Sequence, residues 1–414
     1  MNADATPAAP PPVDMRDPVW RDDPHAILRT LRERGPTRDV LGIWLVGRYA
    51  DVNAGLRSSR LSREPWRAPA YRQLRPFIAE SPMERWVEQW MLFNDPPKHT
   101  RLRRLANHAF RPPVIDAMRE RIEAVTDELI DALPADGTPF DLMAALAQPL
   151  PVRVICDILG LPREDFATTK AWSDALAIVV EPVRRRAELE AAGRAAVEMA
   201  DYLRAHVAAH RAAGRRDDLL GTLVAAMDDG GALSDDELLG NLILLFIAGH
   251  ETTTNLIGNG VLTLLRHPGE LARLRADPAL IAGAVEEILR FEGSVNFLAR
   301  HPLEPYRVGD ATVMPDETIF FMLGAANRDP AAFPDPDRFD VARTPNHQLG
   351  FGAGIHHCIG APLARLEAQV AIGRLLARFP ALEAVDAVDA APRWRRLINL
   401  RGLEVLALRA GRAS

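Results

Sequence analysis

The chain has 414 residues, a formal net charge of −6 and only two cysteines, Cys156 and Cys358. Lys and Arg are dispersed rather than gathered in a block, which argues against nucleic acid as the main partner, and two cysteines exclude a disulfide framework and fit a reducing, cytoplasmic setting. The longest apolar run, residues 238–249, is interrupted by Gly240 and Asn241 and falls short of the roughly 20 residues that cross a bilayer, so no membrane anchor is expected.

Residues 1–16, rich in Ala and Pro with neither a basic start nor an apolar segment, read as a disordered lead-in rather than a signal peptide; residues 17–414 read as one domain. An early strand is predicted at 41–46. Cys156, within the apolar stretch 154–159, reads as a small buried hydrophobe. Apolar residues recur at three- and four-residue spacing through 113–133, 188–213, 234–266 and 271–291, predicting helices. Short alternating runs at 306–308, 311–313 and 318–322 predict strands around turns at Gly309-Asp310 and Pro315-Asp316. Residues 327–354 lose all periodicity and read as a long irregular segment, a feature that is often functional. Helical spacing resumes at 361–376, and a strand pair is predicted from 397–400 and 404–408 around Gly402. The fold class is mainly α, a single large helical domain with a minor β-sheet region.

Two stretches break local rules. Ser234-Asp235-Asp236-Glu237 has the form of a capping box, and the helix it opens is apolar on nearly every side through Ile247. Then Ala248-Gly249-His250-Glu251-Thr252-Thr253-Thr254-Asn255 puts a glycine and six polar residues at its centre. A helix turning its polar side to water midway would explain them; so would a hydroxyl beside a carboxylate relaying protons into an apolar cavity.

The second is Phe351-Gly352-Ala353-Gly354-Ile355-His356-His357-Cys358-Ile359-Gly360, directly before a predicted helix. Three glycines let backbone N–H groups turn toward the thiol. A cysteine at a helix N-terminus among such donors is expected to have a depressed pKa and to exist as thiolate, able to bind a metal or attack an electrophile. Zinc needs further ligands that the tandem His356-His357 does not supply. Haem iron needs one such axial ligand.

At these residues the sequence resembles the cytochrome P450 superfamily, in the style of its soluble bacterial members. Phe351, Gly354, His356, Cys358 and Gly360 fill the ligand-loop pattern; Ala248, Gly249, Glu251, Thr252 and Thr253 fill that of the central helix. Glu287 and Arg290 meet a third motif, Glu-x-x-Arg, and Arg338 of Pro336-Asp337-Arg338-Phe339 matches the residue that joins this pair as a structural ion network. The resemblance implies the P450 fold and haem b, with Cys358 as iron ligand. Its propionates are expected at His99, Arg103, Arg300 and His356, and its ring against Ala248, Phe351 and Gly360. It further implies monooxygenation by dioxygen, with Glu251 and Thr252 as the proton-handling pair. A small apolar substrate is expected at Leu244, Leu245, Ala248, Val295, Asn296, Phe297 and Ile398, within 66–90 and around 178–180.

No nucleotide-binding Gly-rich fingerprint is present, so electrons are expected from a separate ferredoxin and its reductase. Arg101, Arg104, Arg111 and Arg365 are candidates for its docking patch, and the chain is expected to be a monomer. Gln348 and Gly293-Ser294 depart from the common family pattern. Two rival readings remain, a non-catalytic haem sensor or carrier and a cysteine-dependent hydrolase with His356 or His357 as base.

Overall fold

The structure is a computed structural model; it describes all residues except 1–12, 69–70, 74–81, 108–109, 183, 215–219, 222–223, 225–232, 387–390 and 411–414. Its core is a helix pack around one long central helix. The helices that matter for the site are α1 (Lys98–Asn107), α2 (Arg119–Asp131), α3 (Pro149–Ile158), α4 (Phe166–Leu176), α5 (Arg186–Ala212), α6 (Asp235–Arg266), α7 (Ile281–Phe291) and α8 (Ala361–Arg378). The 32-residue α6 packs against α3, α4, α5, α7 and α8.

The capping box forms as read: Ser234 Oγ accepts from Glu237 N–H at 3.2 Å, and Glu237 Oε2 accepts from Ser234 N–H at 3.0 Å. Three acidic residues in the first turn add favourable charge at the positive end of the helix dipole. Beyond it α6 runs unbroken through Gly249, and His250, Glu251, Thr253, Thr254 and Asn255 are all buried. The interruption is therefore chemical rather than geometric. Gly258 serves packing, since a Cβ there would sit 2.5 Å from Met143 Sδ.

Five strands form the larger sheet in the order β1-β2-β8-β5-β3: β1 (Thr37–Arg38), β2 (Trp44–Val46), β3 (Leu61–Ser62), β5 (Phe297–Pro302) and β8 (Ile319–Met322). The β2–β8 pair is parallel and the rest antiparallel. A smaller sheet joins β4 (Phe140–Asp141), β10 (Ala407–Ala410) and β9 (Leu382–Ala384), and β6 (Tyr306–Val308) pairs β7 (Ala311–Val313).

Several expectations change. The predicted helix 113–133 is two, Pro112–Ala117 and α2, and 271–291 divides at Asp277, whose side chain caps the 3-10 turn that follows. The predicted 397–400/404–408 strand pair does not form: bridges join Trp394 to Leu403 and Val295 to Leu400, and the later segment pairs with β4 and β9 instead. Within the expected lead-in, Val13 bridges Asp39 and Met15 is fully buried; residues 1–12 lie outside the described residues. Among the described residues no helix is long and apolar enough to cross a membrane.

Candidate active site

The ligand loop is positioned by its glycines and by the start of α8. Gly352 and Gly354 have φ of +69° and +73°, conformations that a side chain disfavours. A Cβ on Gly354 would also stand 2.6 Å from the Leu56 carbonyl oxygen. Cys358 N–H donates to Phe351 O at 2.9 Å, closing the loop. Gln348, the departure from the family pattern, holds it from behind: its Nε2 donates to Glu286 at 3.0 Å and its Oε1 accepts from Gly350 N–H.

Cys358 opens on a cavity of about 220 Å³ and is otherwise enclosed by protein. Backbone N–H groups of Gly360 and Ala361 bond its sulfur, and Arg103 and Arg365 add positive field; all four favour thiolate. Burial outweighs them and pushes the thiol up, because removing a thiolate from water costs more than two N–H donors and partly screened guanidiniums return. The polypeptide stages the thiolate electrostatically, and a cation against the sulfur is what completes it. Cys156, by contrast, is buried beside Thr169, and its pKa is raised to about 12, as expected of a packing thiol.

Across the cavity from Cys358 stands α6. Leu244, Leu245, Ala248, Gly249, Thr252 and Thr253 line it, with Val295 and Leu298 beside them and Phe351, His356 and Gly360 on the thiol side. Thr252 Oγ1 donates to Ala248 O at 2.7 Å, and its own carbonyl accepts from Ser294 Oγ at 2.8 Å. Ser294, within the second departure from the family pattern, thus braces the helix at its functional turn.

Glu251 faces the other way. Together with His250 and Thr254 it lines a separate polar cavity of about 450 Å³ with Lys170, Asp174 and Arg395. Arg395 pairs with its carboxylate, and burial raises the Glu251 pKa to about 7. His250 Nδ1 lies 3.2 Å from Ser173 Oγ, and burial holds this imidazole neutral, its pKa down to about 3.

A cationic cluster closes one end of the site. His99 and Arg103 line the cavity from α1, and the His99 ring lies tilted against that of His356 with centroids 4.2 Å apart. Arg300 is buried beside them, and burial pushes its pKa down to about 9. Arg300 Nη2 and His99 Nδ1 have no hydrogen-bond partner among the described residues. Unsatisfied buried donors and clustered cations are costly alone and fit a group that presents carboxylates. With a buried sulfur facing the same space, the donor set suits haem.

The structure separates the expected substrate contacts. Leu244, Leu245, Ala248 and Val295 are on the cavity wall, whereas Asn296, Phe297 and Ile398 are not. Within β5 alternation turns Leu298 to the cavity and Phe297 away from it, where Phe297 stacks on Phe320 with centroids 4.4 Å apart; Val295 precedes the strand and bridges Leu400. Asn296 ties the wall together, its Nδ2 donating to Ile398 O at 2.6 Å. Residues 178–180 are also off the wall. In 66–90, positions 69–70 and 74–81 lie outside the described residues and the others are off the wall; Met91 and Leu92, just beyond, line the cavity instead.

Glu287 and Arg290 pair at 2.7 Å, fully buried, but the third member is Arg343, whose Nε donates to Glu287 at 3.1 Å. Arg338 does not join by its side chain, which is 62% exposed and lies 3.7 Å from Asp340; its carbonyl accepts from Arg290 instead. Spacing alone did not separate two arginines five residues apart in an aperiodic loop. The proposed docking arginines also divide, since Arg101 pairs with Glu237 and Arg365 with Glu286. Arg365 further covers Phe351, 4.5 Å from the ring centroid.

Comparison with known proteins agrees with this geometry. The family model "Cytochrome P450" matches residues 24–398. Cytochrome P450 107B1 of Saccharopolyspora erythraea is 42% identical over 95% of this chain and 97% of its own length. The 6-deoxyerythronolide B hydroxylase of the same organism is 37% identical over 96% of this chain and 98% of its own. The crystal structure of myxobacterial cytochrome P450 CYP267B1 in complex with myristic acid superposes with a TM-score of 0.87 at 40% identity, covering 96% of this chain and 98% of that one. A thiol that opens on a cavity walled by Thr252 and its neighbours on α6, inside a fold shared over almost the full length, accords with what the comparisons show: this chain is a member of the cytochrome P450 family and a haem-thiolate monooxygenase.

Proposed function

We propose that this chain uses haem b, electrons from a ferredoxin and its reductase, and dioxygen to hydroxylate or epoxidise a largely apolar product of secondary metabolism, as a cytoplasmic monomer. The observation that carries the substrate class is the cavity wall, where Leu244, Leu245, Ala248, Val295 and Leu298 face the space above Cys358. Such a wall favours a macrolactone, another polyketide or a fatty acyl chain over a charged metabolite. Relatives point the same way, one named a 6-deoxyerythronolide B hydroxylase, one named for polyketide biosynthesis and one solved with myristic acid.

His99, Arg103, Arg300 and His356 would hold the propionates and Cys358 the iron. When bound, the haem-thiolate iron supplies dioxygen reduction and transfer of one oxygen atom to the substrate. The chain's own part is positioning and proton supply. Thr252 holds a hydroxyl proton at Oγ1 on the cavity side, and Glu251, one residue away, holds a carboxyl proton on the side of the polar cavity. A pKa near 7 suits Glu251 to take protons from water and release them at neutral pH. A sensor or carrier has no use for this pair. A hydrolase is disfavoured because His356 packs against the His99 ring and His357 turns to the backbone of Cys358.

The test is spectroscopic. Reduced protein under carbon monoxide should show the thiolate-ligated band, and macrolactones or fatty acids should shift the ferric spin state. A colourless protein, or one in which only polar ligands produce the shift, overturns the reading.

A further inference from the structure

Arg63 is a large buried cation that sequence motifs do not single out, and it stands next to the cofactor cluster. It follows β3 at the edge of the larger sheet, where Ser62 pairs with His301. Its Nη1 donates to Ala299 O at 3.2 Å, and Arg300 Nη1 donates to the same carbonyl at 2.9 Å. Two guanidiniums therefore converge on one acceptor inside the protein. The Arg63 fork lies over Phe93, 5.1 Å from the ring centroid, which limits the directions it can take.

The local charge does not balance. Asp95 is the nearby anion, and both of its oxygens are engaged: Oδ2 accepts from Ser62 Oγ at 2.5 Å and Oδ1 accepts from Arg63 N–H at 3.0 Å. Asp95 thus fixes the backbone that carries Arg63 without pairing with its guanidinium. On the other side are Arg103, His99 and His356, all cationic or neutral, and Arg300 Nη2 is buried without a partner. Burial lowers the pKa of both guanidiniums, Arg63 to about 10 and Arg300, which also feels the charge of Arg63, to about 9. Two buried forks beside one carbonyl need an anion with two oxygens.

We propose that Arg63 is a further cofactor-binding residue, which forms with Arg300 a paired guanidinium seat for one carboxylate of the porphyrin, with Asp95 and Ser62 fixing its approach. The proposal rests on the haem reading above. It differs from it in a way that can be measured, because esterifying the porphyrin carboxylates removes the partner of Arg63 but not that of Cys358.

The experiment compares full-length chain reconstituted with haem and with haem dimethyl ester, following loss of each to excess apomyoglobin. Arg63→Met should speed haem loss by about tenfold, the scale for a charge-assisted pair, while changing loss of the ester by less than about twofold. Arg63→Lys, which keeps the charge but not the fork, should speed haem loss by about threefold; it carries the test if the Met variant does not fold. Equal acceleration for haem and ester would reduce Arg63 to a structural role, and no acceleration with haem would overturn the proposal outright. Failure of the wild-type chain to show the thiolate carbon monoxide band would instead sink the haem reading itself.

Discussion

Arg395 reaches from the chain near the C-terminus to the buried carboxylate of Glu251, with its second nitrogen 3.5 Å from Oε1. The pair sits on the polar face of α6, while Thr252, the next residue, faces the thiol cavity. On the proposed reading, proton uptake and proton delivery fall to adjacent residues that face different cavities. Glu251→Gln should lower product formation by roughly 10²-fold, the usual worth of a positioned acid, with the reduced carbon monoxide spectrum unchanged. Steady-state turnover with a supplied ferredoxin system measures the first and a single spectrum the second; an unaltered rate would remove Glu251 from the path.

Thr252→Ala should act differently. Losing the hydroxyl leaves electron consumption running but diverts it, so peroxide release rises as product falls. The ratio of product formed to reductant consumed is the readout, and an unchanged ratio would refute the role.

The buried ion network distinguishes two arginines. Arg343→Met strips a partner from the fully buried Glu287 and should cost ~2 kcal/mol, less than a complete loss of pairing because Arg290 remains. Arg338→Ala removes an exposed side chain and should stay within about 0.5 kcal/mol. Thermal unfolding of both variants decides it, and the reverse order would restore Arg338 to the network.

Glu367 supplies a pH prediction. It lies on the cavity wall with Oε2 unpartnered among the described residues, and burial raises its pKa from 4.5 to about 8. Between those values the folded chain keeps a proton that the unfolded chain has lost, so this residue's contribution to stability falls as pH rises from about 5 to 8 and levels off above. Glu367→Gln cannot ionise, and its melting temperature relative to the parent should rise from pH 5 to pH 8.5. A difference that stays constant across that interval would show that Glu367 does not titrate there.

Much of this molecule was legible because its chemistry breaks local rules. The glycines around Cys358 and the polar run after Ile247 are costly in a packed core, and each marks a functional surface. The Ser234 cap and the apolar spacing of α6 fixed that helix to within a residue. What escaped was set by distant contacts. Arg63 has no motif because its partner carbonyl belongs to a strand more than two hundred residues later. Phe297 and Leu298 are both apolar, and only the pairing of β5 with β8 decides which of them meets the cavity.

The placement of two cavities back to back across α6 also bears on how such an enzyme can change. One turn of helix divides a greasy chamber from a wet one, so residues such as Leu244 and Val295 can be exchanged to admit a differently shaped guest while Lys170, Asp174 and Arg395 stay untouched. Selectivity and acid supply can then drift independently, which lets one scaffold be refitted for new molecules without rebuilding its plumbing.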